Sequence, residues 1–227
     1  MTYLLIAIAA FTLFHMLPST PLRAWIIARV GRRGFMWAFS ALSVFFFGWM
    51  WMAYRAAPAG PVFWVTSQGE RWVSAALMLA AFALAIGAVT GRPRVLLTAE
   101  KALGGPEPVR GVLRITRHPL LWAVGLWGLV HMANNAGPAD WVFFGYTTVL
   151  ALAGTWLIDR RRARLLGDAW PPLKAKTSNL PFLAILQGRN RLFLREFGLA
   201  RAAAALAAWA LALWAHEAVF GLPAVWF

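Results

Sequence analysis

The stretch TRHPLLWAVGLWGLVHMANN (Thr116–Asn135) decides how this sequence is interpreted, because it places a histidine near each end of an apolar run. The run is rich in Leu, Trp and Gly, and Pro119 fits the first turn of a helix, where a missing N–H costs nothing. Burying an ionisable side chain in hydrocarbon is expensive unless the side chain has a partner. The environment of His118 and His131 must therefore be established before a role is assigned to them.

The composition indicates that this environment is a lipid bilayer. Of the 227 residues, 61% are hydrophobic and only 13% are charged, and the mean hydropathy is +0.62. A soluble domain of this length cannot cover so much apolar surface with so few charges. Several apolar stretches are long enough to cross about 30 Å of hydrocarbon. The sequence therefore predicts an all-α integral membrane protein whose main partner is the lipid bilayer.

Six membrane-spanning helices are expected, and they form a single domain over residues 1–227. Their predicted ranges are Thr2–Leu17, Phe35–Tyr54, Trp72–Thr90, Pro119–Asn135, Trp141–Ile158 and Leu199–Phe220. The first lacks a basic segment before it and an obvious cleavage site, so it is expected to be a retained helix and not a signal peptide. The sequence NNAGPAD predicts a tight polar turn between the fourth and fifth helices.

The basic residues predict the orientation of this six-transmembrane helix bundle. Of the 22 lysines and arginines, all but Arg55 and Arg71 fall in the segments Pro18–Gly34, Gly91–His118 and Asp159–Arg201. The positive-inside rule places these segments in the cytoplasm, with both termini outside, in the periplasm of a bacterial inner membrane. Topology and attraction to anionic lipid also account for the formal net charge of +14, so no nucleic-acid partner is expected.

The last of these basic segments contains DRRRARLLGDAWPPLKAKTSNLPF. Its first half is expected to extend the fifth helix into the cytoplasm. The remainder is expected to lie along the lipid headgroups, with Trp170, Leu173, Leu180 and Phe182 dipping into them.

The chain contains no cysteine, which excludes disulfides, thiolate catalysis and cysteine-held metal sites. Its strong nitrogen ligands are the four histidines His15, His118, His131 and His216. His118 and His131 are thirteen residues apart, which corresponds to about 20 Å along a helix and about 140° around it. They cannot bind one metal ion together, so each needs a partner elsewhere or has a separate role.

His131 is the first candidate for a metal ligand, because Gly128 one turn earlier leaves room for a flat macrocycle and Trp127 gives it an apolar wall. His15 lies between phenylalanines late in the first helix, in the inner half of the bilayer, about 10 Å in depth from His131. His216 is closer in depth to His131 and is the competing partner; its neighbour Glu217 allows a simpler role in a hydrated interfacial pair. Each histidine can also simply hydrogen-bond another helix.

Three stretches resemble the NnrU family of bacterial membrane proteins. They are FHMLPSTPLRAWIIARVGRRGF (Phe14–Phe35), TRHPLLWAVGLWGLVHMANN, and IDRRRARLLGDAWPPLKAKTSNLPF (Ile158–Phe182). That family is associated with nitrite and nitric oxide reduction, and it is related to the plant cis-zeta-carotene isomerases, which are haem b proteins. The resemblance implies a link to denitrification or a redox-gated cis–trans isomerisation of a lipophilic polyene substrate.

The same resemblance implies that haem b is held by two histidines, which fall on His15 and His131 in this chain. His118 then either contacts a residue that holds the haem or, with Arg117 and Arg114, binds a carboxylate such as a haem propionate. Its simpler alternative is a helix-start residue that anchors the chain at the headgroups. Exchange of an iron ligand for a thiolate cannot operate, because the chain has no cysteine.

A second resemblance points to a different class. The Arg-His-Pro sequence at a helix start, followed by LLGDAW, is similar to the isoprenylcysteine-type membrane methyltransferases, which use S-adenosylmethionine. Leu121 and Trp122 stand where that family has a tyrosine and a glycine, and Asp159–Arg160 replaces its acidic pair. A methyltransferase and a non-catalytic factor that assembles a nitric oxide reductase therefore remain as alternatives to the haem protein.

Overall fold

The structure is a computed structural model that describes residues 1–91 and 109–225. These residues form helices and connecting segments and contain no strand. The main helices are α1 (Thr2–Met16), α2 (Leu22–Arg55), α3 (Gln68–Thr90), α4 (Pro119–Asn134), α5 (Pro138–Leu166), α6 (Trp170–Lys176), α7 (Leu183–Leu186) and α8 (Leu199–Phe220). Part of the second basic segment, with Arg92, Arg94 and Lys101, lies outside the described residues.

A helix lies over each of the six predicted ranges, although the number of membrane spans stays a prediction, and the bounds of the helices follow local chemistry. Helix α3 begins four residues before its predicted start, because Ser67 and Glu70 form a capping box: Ser67 Oγ accepts from the Glu70 N–H and Glu70 Oε2 accepts from the Ser67 N–H. Helix α4 begins at Pro119, as predicted. Helix α5 continues past Ile158 to Leu166, which confirms that the basic stretch extends it.

Helix α2 is longer than predicted and is interrupted at one point. Gly31 has φ 73° and ψ 163°, which is not a helical conformation and is one that glycine adopts without steric cost. The residues Leu22–Val30 therefore form a separate helical segment before the predicted span. The sequence analysis had assigned these residues to a basic connection.

Among the residues that the structure describes, four helices are long and apolar enough to cross a membrane, namely Leu22–Arg55, Gln68–Thr90, Leu199–Phe220, and the continuous helical stretch Pro138–Lys176. Helices α1 and α4, with 15 and 16 residues, are apolar but shorter. Large apolar side chains such as Trp37, Val44, Leu199 and Trp214 are mostly exposed on these helices. Exposed apolar surface of this kind is typical of a protein embedded in lipid.

The described residues pack as two compact units. The single domain expected from the sequence stays a prediction. The first unit consists of Met1–Trp64 and Asn135–Tyr146. In it α1 packs on α2, and the Tyr54 hydroxyl donates to Asp140 Oδ1 over 2.5 Å while its ring stacks on Phe143. Tyr146 and Thr12 are hydrogen-bonded through their hydroxyls at 2.8 Å.

The second unit consists of Val65–Asn134 and Thr147–Phe227. Helix α3 lies at its centre and packs against both α4 and α8. The buried core includes Leu84, Val112 and Ala123. Close packing depends on Gly87, because a Cβ at this position would overlap Val112 Cγ1 and lie 3.1 Å from Phe197 Cε2.

Candidate functional site

Arg117 and His118, two of the predicted site residues, meet at one carboxylate in the second unit. Asp159 accepts hydrogen bonds from Arg117 Nε at 2.8 Å and Arg117 Nη2 at 2.6 Å, and His118 Nε2 lies 2.7 Å from its other oxygen. The side chains of Arg117 and His118 are 9% and 3% exposed. The carboxylate that this arginine and histidine bind is thus supplied by helix α5 of the same chain.

The backbone around this cluster is held by the segment that follows α6. The Arg117 N–H donates to the Ser178 carbonyl at 2.9 Å, and the Phe182 N–H donates to the Ile115 carbonyl at 2.8 Å. Thr116 Oγ1 donates to the Asn179 carbonyl at 2.5 Å. Polar groups that face each other in this way satisfy buried backbone donors and acceptors that would otherwise be costly.

The electrostatics of the cluster favour a neutral histidine. Burial lowers the pKa of His118 below its ordinary value, and the hydrogen bond and charge of Asp159 oppose this effect only in part. A neutral His118 donates its Nε2–H to Asp159, so its Nδ1 carries the lone pair. The guanidinium of Arg117 supplies the positive charge that balances the Asp159 carboxylate.

Trp170 differs from its predicted position. The sequence analysis placed it among the lipid headgroups, but it is only 5% exposed, and its ring lies beside the Arg117 guanidinium at 5.8 Å. Leu180 and Phe182 are exposed, as expected of residues at a headgroup surface.

Arg114 binds a second carboxylate and does not share Asp159 with Arg117. Its Nε and Nη2 donate to the two oxygens of Glu196 at 2.7 and 2.8 Å, and its Nη1 donates to Asn190 Oδ1 at 2.9 Å. The Gly111 N–H also donates to Glu196. These hydrogen bonds, first among them those from Arg114, lower the pKa of Glu196. Within the chain, each of the two arginines thus binds a carboxylate of its own, and a joint clamp of Arg114, Arg117 and His118 on a haem propionate stays a prediction.

His131 has a defined tautomer in the second unit. Its Nδ1 donates to the carbonyl of Trp127, one turn earlier, at 2.8 Å, and its ring lies 4.9 Å from the Trp127 ring. Because a carbonyl can only accept, Nδ1 carries the proton and Nε2 of the neutral ring carries the lone pair. Gly128 beside it is buried.

His15, the other predicted metal ligand, belongs to the first unit and is surrounded by phenylalanines. Its ring stacks on Phe11 at 4.1 Å and lies 5.7 Å from Phe14 and 5.5 Å from Phe39. Its Nδ1 is buried without a hydrogen-bond partner among the described residues; the Phe11 carbonyl interacts with it but outside hydrogen-bond geometry. A buried polar atom without a hydrogen bond is unusual and calls for a functional or structural reason.

His216, the competing partner in the sequence analysis, lies near the C-terminal end of α8 in the second unit. Its Nδ1 donates to the Leu222 carbonyl at 2.6 Å, and its ring lies 4.8 Å from Phe220. Among the residues that the structure describes, no cluster of three or more His, Asp or Glu side chains is arranged to hold a metal ion.

Two cavities in the second unit complete the candidate site. One, with a volume of about 350 Å³, is lined by Arg117, His118 and Pro119 together with further arginines. The other, with a volume of about 920 Å³, is called the apolar cavity below. Its walls include Leu77, Leu84, Trp122, Leu126, Leu129 and Phe193, and Arg195 is the one charged residue among the described residues that line it.

Comparison with known proteins identifies the family. The family described as NnrU protein matches residues 3–224, which is nearly the whole chain. The chain belongs to the NnrU family. This confirms the resemblance that the three sequence stretches indicated.

Two curated plant proteins are similar to parts of this NnrU chain. A chloroplastic 15-cis-zeta-carotene isomerase of Zea mays is 39% identical over 85 residues, which is 36% of this chain and 22% of the maize protein. A protein of the same description from Arabidopsis thaliana is 35% identical over 94 residues, which is 38% of this chain and 24% of that protein. The similarity thus spans about a quarter of these relatives. No solved structure matches the chain.

The acidic partners of this site were not predicted from the sequence. Asp159 was considered only as the start of a basic segment and in the comparison with the methyltransferases, and Glu196 was not considered. A usable signal was present, because each is a lone acid within a strongly basic stretch, IDRRRAR and RLFLREFG. A single carboxylate among many arginines is well placed to hold one of them in the interior.

Proposed function

We propose that this NnrU protein is a membrane isomerase that acts on a double bond of a lipophilic polyene. The observation that carries the proposal is the apolar cavity, whose volume of about 920 Å³ and apolar walls suit an extended hydrocarbon. The similarity to proteins named 15-cis-zeta-carotene isomerase supports the reaction class.

The proposed cofactor is haem b, with His15 and His131 as its iron ligands. When bound, a haem supplies a redox-active iron whose properties are set by its axial ligands and the polarity around it. The side-chain chemistry of His15 and His131 fits a haem. Metal-binding histidines characteristically donate their other ring N–H to a backbone carbonyl, as His131 does to Trp127.

His15 fits a ligand role for a different reason. Its buried Nδ1 makes no hydrogen bond within the described residues, and three phenylalanine rings lie against its own ring. A neutral imidazole has one ring nitrogen whose lone pair can bind a metal. The roles of Arg117 and His118 toward a haem propionate stay a prediction; within the chain their side chains bind Asp159.

The proposal includes the membrane arrangement expected from the sequence. All six apolar helices cross the inner membrane of a bacterium, with the basic segments in the cytoplasm and both termini in the periplasm. We also propose that the protein works in cells that reduce nitrite and nitric oxide. There, the redox state of the haem would control the isomerase.

A direct assay tests the reaction. The purified chain, in detergent, is incubated with 15-cis-zeta-carotene under oxidising and reducing conditions, and the isomers are separated by liquid chromatography. We expect the cis isomer to decline faster than in a matched sample of denatured protein. If the isomer ratio does not change under either condition and the preparation binds S-adenosylmethionine, the methyltransferase alternative is favoured instead.

A further inference from the structure

Aromatic side chains form part of the wall of the apolar cavity. Among the described residues that line it, these are Trp122, Phe182, Phe193 and Phe197. Two of them are held by polar side chains that are not among the lining residues: Trp122 binds Asn179, and Phe193 lies against Arg114. The position of each of these two rings is thus set from outside the cavity.

A relay of hydrogen bonds holds the indole of Trp122. Its Nε1–H donates to Asn179 Oδ1 at 3.3 Å, and Asn179 Nδ2 donates to Thr155 Oγ1 at 2.9 Å. The Thr155 hydroxyl in turn donates to the Leu152 carbonyl at 2.6 Å. The relay can run in one direction only, because an indole N–H cannot accept and a carbonyl cannot donate. The amide of Asn179 is therefore fixed with its oxygen toward Trp122.

This relay lies outside the apolar cavity. Neither Asn179 nor Thr155 is among the residues that line the cavity, and Thr155 is only 3% exposed. The backbone of Asn179 is held as well, because its carbonyl accepts from Thr116 Oγ1. The polar edge of Trp122 is therefore bound away from the cavity, and the part of the indole that lines the cavity is its hydrocarbon surface.

Phe193 is held by a cation. The Arg114 guanidinium lies over the Phe193 ring, with its Cζ 4.6 Å from the ring centroid. A guanidinium in this position is attracted to the aromatic face. Hydrogen bonds to Glu196 and Asn190 fix the guanidinium in turn. Phe193 is thus held in place before any ligand binds.

We propose that Trp122 and Phe193 form an aromatic wall that selects a conjugated polyene over a saturated chain, and that Asn179 is the residue that positions Trp122. A conjugated polyene is flat and does not rotate freely about its double bonds, so it loses less conformational freedom on binding than an alkane does. Aromatic rings that are already fixed offer a large contact area at little entropic cost. This inference rests on the proposed function and names conjugation as the feature of the substrate that the cavity recognises.

The matched probes are 15-cis-zeta-carotene and the hydrocarbon obtained by hydrogenating all of its double bonds, which has the same carbon skeleton. The full chain is immobilised in detergent and incubated with an equimolar mixture of the two, and the bound hydrocarbons are extracted and quantified by chromatography. All isomers of the carotene are counted together, so the bound ratio does not depend on isomerase activity. We expect the ratio to favour the carotene at least about fourfold, since each aromatic ring should contribute about twofold or more.

Substitutions in the wall test its aromatic character. Trp122→Leu and Phe193→Leu should each lower the bound ratio about twofold or more, because each removes one ring from the wall. Trp122→Phe keeps a ring and should retain most of the preference. Trp214→Leu is the matched control, since Trp214 is 80% exposed on α8 and is not among the lining residues; its ratio should equal that of the wild type.

Asn179→Leu tests the positioning role. We expect it to lower the bound ratio in the wild type and to change it little in W122F, which has no N–H for Asn179 to accept. Equal effects in both backgrounds would mean that Asn179 acts through the fold and not through Trp122. If N179L does not fold, Thr155→Val takes its place, because it breaks the next hydrogen bond of the relay.

Three results would overturn the inference, and they differ in what they mean for the proposed function. A ratio close to or below one in the wild type, with both hydrocarbons retained, excludes aromatic selection and leaves the apolar cavity as a substrate site. Equal losses of both hydrocarbons in W122L and F193L, at an unchanged ratio, would mean that these rings only fill space. If the protein retains neither hydrocarbon, the proposed function fails together with the inference.

Discussion

His118 Nε2 lies 2.7 Å from Asp159 Oδ1, and the same carboxylate accepts hydrogen bonds from Arg117. This contact joins the Arg-His-Pro sequence at the start of α4 to the basic C-terminal part of α5. The fold thus uses one carboxylate to neutralise a buried arginine and to orient a buried neutral histidine. Arg117 and His118 of this cluster also line the smaller cavity of the second unit.

Asp159→Asn should destabilise the protein strongly. The substitution leaves the Arg117 guanidinium buried without its carboxylate, and breaking a buried ion pair from one side costs about 3–5 kcal/mol. The change is measured as a lower midpoint of thermal unfolding in detergent, followed by the fluorescence of the 14 tryptophans.

The matched control is Asp168→Asn, nine residues later in an exposed position. A surface substitution of this kind is expected to change stability by no more than about 0.5 kcal/mol. Similar midpoints for the two variants would show that the Asp159 contacts do not stabilise the folded protein.

Stability should fall as the pH drops below 6.5, the ordinary pKa of histidine. Burial lowers the pKa of His118 in the folded protein, so between that lowered value and 6.5 the unfolded chain binds a proton that the folded one does not. The contribution of His118 is therefore complete above pH 6.5 and is lost as the pH falls through its folded pKa. His118→Gln keeps an amide donor but cannot titrate, so the slope of the unfolding midpoint against pH should become shallower. An unchanged slope would contradict this role.

Gly87→Ala should destabilise the second unit, because the methyl group added to α3 overlaps Val112 and approaches Phe197. Overpacking of this kind costs about 1–3 kcal/mol. Gly48→Ala is the control: this glycine is also helical, but a Cβ there meets no atom within 4 Å, and alanine is the better helix former by up to about 1 kcal/mol. We expect G87A to lower the unfolding midpoint and G48A to raise it. A higher midpoint for G87A would show that α3 is not tightly packed at Gly87.

The helices could be predicted from the sequence because membrane spans are long apolar runs between polar segments. The predicted and observed ranges agree within a few residues for α1, α4 and α8. The early starts of α3 and α5 depend on a capping box at Ser67 and on Pro138, whose effects are local and were not weighed. The helical segment before Gly31 was missed because its arginines made it resemble a loop.

The candidate site could be predicted from the sequence only in part. Histidines are conspicuous in an apolar chain, but the partner of each depends on which elements pack together, as His118 and Asp159 show at a separation of 41 positions in the sequence. The apolar cavity is lined by α3, α4, the start of α8 and the segments around Val112 and Phe193. No periodicity within one helix predicts a volume that several separate elements border.

The histidine variants should separate the predicted ligands from their competitor. We expect His131→Ala or His15→Ala to abolish or alter the haem spectrum, because either change removes one of the two nitrogens proposed to hold the iron. His216→Ala should leave that spectrum unchanged, since its ring is held by the Leu222 carbonyl and Phe220. Loss of haem in H216A, with H15A unaffected, would mean that His216 and not His15 is the partner of His131.

The absorbance spectrum of the purified wild-type protein tests the central claim most directly. The account predicts a sharp Soret band that shifts when dithionite is added, and that is lost or altered in H131A. A colourless wild-type preparation, expressed with ample haem supply and with an unfolding transition that shows it to be folded, would contradict the proposed haem protein.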